Sequence, residues 1–191
     1  MRIIAGALRG RRFQAPPDDA TRPTTDRVRE SIFNLLHSRT ELRGASVLDL
    51  FAGSGGLSLE AISRGAARVT MVEQNAKALK TAKDNAAALG VFDQVRPVRG
   101  DAMAVLKRPA AGRYDLVFAD PPYHLDGIAS IPDEAAKHAP GGWLVLEHDK
   151  HLDFDEHPAL DTSRRYGRTV VSVFDFAKLE REASETSSVD A

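Results

Sequence analysis

The segment Asp120-Pro121-Pro122-Tyr123 places a carboxylate, two prolines and an aromatic ring side by side. The apolar run just before it, residues 116–119, predicts a buried strand that ends here, because consecutive prolines cannot donate to a sheet. The Asp120 carboxylate, the Pro121 carbonyl and the Tyr123 ring are groups that a ligand bound beyond the end of the strand could contact. A proline turn that only ends a strand is the alternative interpretation.

A glycine loop follows an earlier predicted strand, in the sequence DLFAGSGG at residues 49–56. Its glycines allow a tight turn and close approach of the backbone to a ligand. A dinucleotide fingerprint counted from Gly53 would need a third glycine at position 58, which is Ser58. The glycines alone therefore leave both a ligand loop and a purely structural loop open.

Two further acids follow predicted strands. Glu73 ends the second strand, where a carboxylate can accept both hydroxyls of a ribose. Asp101 follows the third strand and could meet an adenine amine, or it could instead cap a helix that starts at Ala102. Because ligands of an open parallel sheet bind beyond the carboxyl ends of its strands, acids at three such ends, with Asp120 as the third, indicate a binding site.

Strand–helix alternation from residue 46 onward would position these acids, and it predicts parallel strands with helices on both faces. Pro97 indicates an edge position for the third strand. Residues 164–176 hold two β-rich pieces with no helix between them, which predicts an antiparallel last strand. The expected fold is α/β, with a mostly parallel seven-stranded sheet.

The first 43 residues differ from the rest of the chain. They hold nine arginines against five acids, a balance of +4, whereas the whole chain has a net charge of −1. A hairpin turning near Arg9 and Gly10 and an amphipathic helix over residues 24–39 are predicted here. The expected organisation is an arginine-rich extension at 1–43 that faces RNA, a main domain at 44–177 and a polar, disordered tail at 178–191.

The composition restricts the class of protein. The chain has no cysteine, no long apolar run and no secretory leader pattern, so a cytosolic location without membrane contact is expected. His148, His151 and His157 could suggest a metal, but they fall in a predicted surface loop, and no metal is expected.

The motifs together resemble the Rossmann-like class I methyltransferases that use S-adenosylmethionine. Their first motif, acid-x-Phe-x-Gly-x-Gly, is met by Asp49, Phe51, Gly53 and Gly55. The resemblance implies that Glu73 holds the ribose of S-adenosylmethionine and that Asp101 with Ala102 holds the adenine. In such enzymes an Asp-Pro-Pro-Tyr motif marks methylation of a nitrogen in a conjugated group, which assigns Asp120, Pro121, Pro122 and Tyr123 to catalysis.

A narrower resemblance runs from about Arg2 to Phe176. The segments RGRRF, RPTTDRVRESIFNLL, VLDLFAGSGGLSLEAISRGA, DPPY and RRYGRT are similar to the ribosomal RNA small-subunit methyltransferase D family. It implies methylation of a guanine N2 amine in the helix 31 loop of 16S rRNA, within a protein-bearing small subunit, by a cytoplasmic monomer. It also implies that six arginines face RNA or the cofactor cleft, of which we expect two or three to be structural: Arg9, Arg11, Arg12, Arg22, Arg27 and Arg29.

Three alternatives stay open. A DNA adenine N6-methyltransferase would use the same DPPY chemistry, although the chain leaves little room for a DNA-recognition domain. A nicotinamide-dependent dehydrogenase would share the fold and the ribose acid, but it would have no need of DPPY. A binding module without catalysis would not require the intact run from Asp120 to Tyr123.

Overall fold

The structure is a computed structural model that describes residues 1–15, 26–110 and 112–181, so most of the tail predicted at 178–191 lies outside the described residues. The chain divides into two compact units, Met1–Val105 and Leu106–Ala191. The elements in chain order are α1 (Asp26–His37), β1 (Ser46–Asp49), α2 (Gly56–Ser63), β2 (Arg68–Glu73), α3 (Ala76–Leu89), β3 (Val95–Arg99), α4 (Ala102–Leu106), β4 (Leu116–Ala119), α5 (Ile131–His138), β5 (Trp143–Asp149), β6 (Leu160–Tyr166) and β7 (Thr169–Asp175).

The strands form a seven-stranded sheet in the order β3-β2-β1-β4-β5-β7-β6. In the first unit β2 pairs in parallel with both β1 and β3. In the second unit β4 and β5 are parallel, whereas β7 runs antiparallel to β5 and to β6. The predicted α/β fold is therefore confirmed, including the antiparallel end and the edge position of the strand that contains Pro97.

Burial follows the parallel topology. All residues of β1 and of β4 are buried, as expected for strands covered on both faces. Helix α2 is buried from Leu57 to Ser63, and α3 buries a narrower stripe against the sheet. Helix α3 begins where the Asn75 side chain accepts hydrogen bonds from two backbone N–H groups, and it ends at Gly90, whose φ of 74° suits the left-handed position after a helix.

The N-terminal segment, residues 1–15, turns back on itself as predicted. Arg2 and Arg12 form an antiparallel bridge. The Ile3 N–H donates to the Arg11 carbonyl, and the Gly10 N–H donates back to the Ile3 carbonyl, each over 2.9 Å. This segment belongs to the same compact unit as β1, β2 and β3.

A buried carboxylate on α2 holds the N-terminal segment in place. Glu60 is fully buried, and its oxygens accept hydrogen bonds from the backbone N–H groups of Ile4 at 2.8 Å and Ala5 at 3.0 Å. The Arg64 Nε donates to the same carboxylate over 2.8 Å. These bonds satisfy two backbone donors that no strand pairing would otherwise reach.

Arg29 connects α1 to the buried Glu60 carboxylate. Its side chain is fully buried, and its Nε lies 3.9 Å from a Glu60 oxygen. Its Nη2 donates to the Arg2 carbonyl over 2.6 Å and to Asp26 over 3.0 Å, the latter an i, i+3 ion pair within α1. The Nε and Nη1 atoms have no hydrogen bond in the described part of the chain, so the guanidinium depends on the charge of these carboxylates.

The second unit ends in a β-hairpin. Strands β6 and β7 pair from Leu160 with Phe174 to Tyr166 with Thr169, with a register shift near Leu160. Phe174 lies edge-to-face against Phe154 and His157, which packs the loop after β5 onto β7. Among the helices of the described residues, none has the length and apolar content needed to cross a membrane.

Removing the Glu60 carboxylate should destabilise the first unit strongly. Glu60→Ala leaves the buried Arg29 charge with only the half-exposed Asp26 carboxylate as a partner and leaves two backbone donors without an acceptor, so we expect a loss of about 3–5 kcal/mol in the free energy of unfolding. Asp84→Ala, which breaks the exposed Lys80–Asp84 pair, is the matched control and should cost less than about 1 kcal/mol. Urea unfolding of both variants measures the difference, and equal losses would contradict the role given to Glu60.

Candidate active site

The glycine loop lies between β1 and α2, and two of its glycines adopt left-handed backbone. Gly53 has φ 54° and Gly55 has φ 90°. A Cβ on Gly55 would approach Leu59 and Met71 to 3.3 Å, so this glycine is required by packing as well as by its conformation. A Cβ on Gly53 would meet no heavy atom within 4 Å, so the loop backbone borders open space at this position.

Glu73 connects the loop to the end of β2. One carboxylate oxygen accepts the Gly53 N–H over 3.0 Å, and the other accepts the Asn75 N–H over 2.8 Å. A carboxylate offers about four acceptor positions, so each oxygen can accept one further hydrogen bond. The side chain is half-buried. The open positions and the open space at Gly53 suit a ligand with two neighbouring hydroxyl groups.

Asp49 lies beneath the loop, and its carboxylate is buried. Ser58 Oγ donates to it over 2.6 Å, which ties the end of β1 to α2. Asp49 therefore stabilises the conformation of the loop. Phe51, within the loop, is half-buried. Sequence reasoning missed the role of Ser58, which stands where a dinucleotide fingerprint would have its third glycine.

Asn85 is a second residue that sequence reasoning missed. It lies on the buried stripe of α3, and its Nδ2 donates to the carbonyls of Ser54 at 2.9 Å and Gln14 at 3.0 Å. Its Oδ1 accepts the Gln14 N–H over 2.8 Å. An asparagine at a buried position of an alanine-rich helix was the available signal, because a buried amide must find hydrogen-bond partners.

Asp101 acts as a helix cap. Its Oδ1 accepts the Ala104 N–H over 2.7 Å at the start of α4, and its side chain is exposed. The capping interpretation is thus confirmed, and the exposed carboxylate keeps further acceptor positions. Ala102 is buried at the first turn of α4.

The DPPY turn, residues 120–123, belongs to the second unit and directly follows β4. Asp120 and Pro122 are half-buried, whereas Pro121 is buried. The Leu125 N–H donates to the Pro122 carbonyl over 2.9 Å, which closes a turn over residues 122–125 that begins within this segment. Tyr123 is 47% exposed, and its hydroxyl forms a hydrogen bond with Thr169 Oγ1 at the start of β7. The turn thus presents an aromatic ring at the surface, with its outer end fixed by the β-hairpin.

Comparison with known proteins identifies the family. A family model described as Conserved hypothetical protein 95 matches residues 1–175. Ribosomal RNA small subunit methyltransferase D of Escherichia coli is 42% identical over 165 residues, which are 85% of this chain and 78% of that protein. The protein YlbH of Bacillus subtilis is 36% identical over 182 residues, covering 91% of this chain and 98% of its own length.

This chain belongs to the ribosomal RNA small subunit methyltransferase D family. A solved hypothetical protein of Thermus thermophilus superimposes with a TM-score of 0.77 at 31% identity, over 92% of this chain and 99% of that one. A Thermus thermophilus 16S rRNA N2 methyltransferase in complex with AdoMet and guanosine has a TM-score of 0.65 at 23% identity, over 82% of this chain and 44% of that one. The second likeness is one of fold, which is that of class I methyltransferases.

Two arginines expected to face RNA have structural contacts in this family member. Arg29 is fully buried, so the expectation that it faces RNA is corrected: its charge compensates Glu60 and Asp26. Arg11 donates to the carbonyls of Leu89 at 2.7 Å and Ala88 at 2.8 Å, where it caps the C-terminus of α3. Both findings agree with the expectation that two or three of the six arginines are structural.

The other four arginines keep their predicted role as a proposal. Arg9, Arg12 and Arg27 are exposed, so their guanidinium groups are accessible to a phosphate. Arg22 lies outside the described residues.

His148 and His157 contact protein groups, and His148 lies in β5 rather than in the predicted surface loop. His148 is buried in β5, where Nδ1 lies 2.9 Å from the Asp149 carbonyl and Nε2 lies 2.8 Å from Ser172 Oγ. A neutral ring with its proton on Nδ1 satisfies both contacts, since Ser172 then donates to Nε2. In the described ranges no group of three or more histidines, aspartates and glutamates could hold a metal ion.

Burial lowers the pKa of His148 below its ordinary value of 6.5, although its bond to the Asp149 backbone and the charges of Asp149 and Asp153 act in the opposite direction. The unfolded chain therefore binds more protons than the folded one below about pH 6.5, and the free energy of unfolding should fall as the pH drops through that region. His148→Gln should flatten this dependence, whereas His37→Gln, at an exposed site of α1, should not. Urea unfolding from about pH 7.5 to 5 measures both; an unchanged slope in His148→Gln would contradict the assignment.

Proposed function

We propose that the protein transfers a methyl group from S-adenosylmethionine to the N2 amine of a guanine in the helix 31 loop of 16S rRNA. The observation that carries the proposal is the DPPY turn: a carboxylate and an exposed, anchored aromatic ring follow a buried parallel strand. The name of the Escherichia coli relative, ribosomal RNA small subunit methyltransferase D, supports an rRNA substrate in the small subunit. A cytoplasmic monomer acting on the subunit or on a late assembly intermediate completes the proposal.

The first unit fits the methyl donor. Glu73 keeps one acceptor position on each oxygen for the two ribose hydroxyls, and Gly53 leaves space for the ligand beside the loop. The exposed Asp101 carboxylate can accept from the adenine amine in addition to capping α4. Asp49 fixes the conformation of the glycine loop through its hydrogen bond with Ser58. S-adenosylmethionine, when bound, supplies an electrophilic methyl group on its sulfonium.

The second unit fits the methyl acceptor. An exocyclic guanine amine is a weak nucleophile because its lone pair is delocalised into the ring. Asp120 and the Pro121 carbonyl each accept one N–H bond, which turns the lone pair toward the incoming methyl group. The Asp120 charge stabilises the positive charge that develops on nitrogen, and the carboxylate accepts the proton that the amine loses. Tyr123 stacks on a base taken out of its helix.

We expect Glu73 to contribute to S-adenosylmethionine affinity through hydrogen bonds to the two ribose hydroxyls. Glu73→Ala removes two charge-assisted hydrogen bonds, so we expect S-adenosylmethionine affinity to fall by about 1.5–3 kcal/mol. Glu73→Gln keeps a neutral acceptor for one hydroxyl and should lose less. Calorimetric titration measures the affinity, thermal unfolding checks that the variants fold, and an unchanged affinity in Glu73→Ala would remove this residue from the site.

The reaction itself is tested by mapping the methylated base. The protein is incubated with labelled S-adenosylmethionine and small ribosomal subunits from cells that lack the enzyme, with protein-free 16S rRNA and duplex DNA as parallel substrates. We expect label on one guanine N2 of the helix 31 loop, and more of it on subunits than on free RNA. Label on adenine N6 of the DNA would favour the rival methyltransferase instead, and no label on any nucleic acid would refute the proposal.

A further inference from the structure

The β6–β7 hairpin carries three exposed arginines to which the proposed reaction gives no role: Arg164, Arg165 and Arg168. They belong to the RRYGRT segment at residues 164–169. The Arg165 Nε donates to the Gly167 carbonyl over 2.9 Å, and an Arg164 nitrogen donates to the Ser163 carbonyl over 2.9 Å. Each contact uses one nitrogen of a guanidinium with five N–H donors, so both arginines retain donors for an anion.

The strand register places Arg164 and Arg165 on different faces of the hairpin. Arg164 lies opposite Val171, Tyr166 opposite Thr169, and Arg165 opposite Val170. Directly paired residues of an antiparallel ladder share a face, and successive residues of a strand alternate between faces. Arg164 therefore lies on the same face as Thr169, while Arg165 lies on the opposite face.

Thr169 identifies the face that meets the DPPY turn. Its hydroxyl forms the hydrogen bond with Tyr123, so Arg164 and Tyr123 are on the same face of the hairpin. Arg164 lies two positions before Tyr166 on β6, which puts it about 7 Å from the Tyr166–Thr169 pair at the usual rise of a strand. The exposed Arg164 side chain is long enough to act close to the ring.

An open surface cavity beside Tyr123 is large enough for a nucleoside. Its volume is about 610 Å³, within the range of small-ligand pockets, and Tyr123, Leu125, Ile128 and Leu152 give it apolar walls. Arg168 lines it from the hairpin. Apolar walls with an aromatic ring suit a stacked base.

The carboxylates of this cavity indicate how a nucleotide would lie. Asp126 and Asp149 also line it, and Asp149 accepts the His151 N–H over 3.0 Å. Carboxylates repel phosphate but accept N–H and O–H bonds from a base or a ribose. The backbone phosphates of an entering nucleotide are therefore favoured outside the cavity, toward the exposed arginines of the Tyr123 face.

We propose that Arg164 and Arg168 bind RNA phosphates on either side of the nucleoside that enters the cavity beside Tyr123. This RNA-binding surface rests on the proposed function for the identity of that nucleoside and is separate from the arginines of the N-terminal segment. The planar guanidinium fork of arginine binds phosphate through two parallel hydrogen bonds, which suits a surface that must fix the position of one nucleotide.

The adjacent arginines supply a matched test. Arg164→Ala, Arg168→Ala and the control Arg165→Ala are each titrated against a fluorescent single-stranded RNA of about 12 nucleotides at several salt concentrations. Loss of one phosphate contact should lower the slope of log K against log salt concentration by about 0.7. We expect that decrease in Arg164→Ala and in Arg168→Ala, and the wild-type slope in Arg165→Ala. Thermal unfolding verifies that all three variants remain folded.

Any other pattern overturns the proposal. Equal losses in all three variants would mean that the arginines contribute only general charge, and unchanged slopes would mean that the hairpin does not contact RNA. Variants that bind this RNA normally but bind small subunits weakly would assign the surface to a ribosomal protein. The titration needs neither cofactor nor methyl transfer, so failure of the methylation experiment and failure of this one can be told apart.

Discussion

The buried Glu60 carboxylate holds three parts of the first unit together. It accepts the backbone donors of Ile4 and Ala5, and it lies opposite the buried Arg29 of α1. Glu60 is on α2, which starts directly after the glycine loop. These contacts therefore also fix the helix that follows the loop. A buried charge is tolerated only where it is paired and hydrogen-bonded, so this centre restricts how the N-terminal segment can fold.

Polar contacts fix the position of the glycine loop and of the Tyr123 side chain. In the first unit, Ser58 engages Asp49 beneath the loop, and Asn85 binds the Ser54 carbonyl. In the second unit, Thr169 holds the hydroxyl of Tyr123. Backbone that is fixed before a ligand arrives loses less conformational entropy on binding. The same logic explains prolines in the DPPY turn, where orientation must be set in advance.

The sequence predicted what local patterns can determine. The apolar runs located the strands, and Pro97 indicated a sheet edge. That the acids at three strand ends mark a binding site stays a prediction. The family resemblance was confirmed by the comparisons. The capping role of Asp101 was also foreseen, because a cap depends only on residues next in the chain.

Most of the contacts that sequence reasoning missed join residues far apart in the chain. Arg11 caps α3 through a carbonyl 78 residues away, and Asn85 reaches Gln14 across 71 residues. Burial of Arg29 depends on Glu60, which charge counting in the first 43 residues could not include. From its sequence, an arginine-rich segment is therefore predicted to be exposed throughout. Tertiary packing nevertheless gives some of its arginines structural contacts and leaves the others at the surface.

Single-turnover methyl transfer by Asp120→Ala tests the role of the DPPY turn most directly. It is measured with small ribosomal subunits at saturating S-adenosylmethionine, beside Asp120→Asn and the wild type. We predict unchanged cofactor affinity and a rate about 10²–10³-fold lower for Asp120→Ala, with Asp120→Asn between the two because it keeps an acceptor oxygen but loses the charge. A wild-type rate in Asp120→Ala would mean that the turn only ends a strand, and the assignment of methyl transfer to it would be wrong.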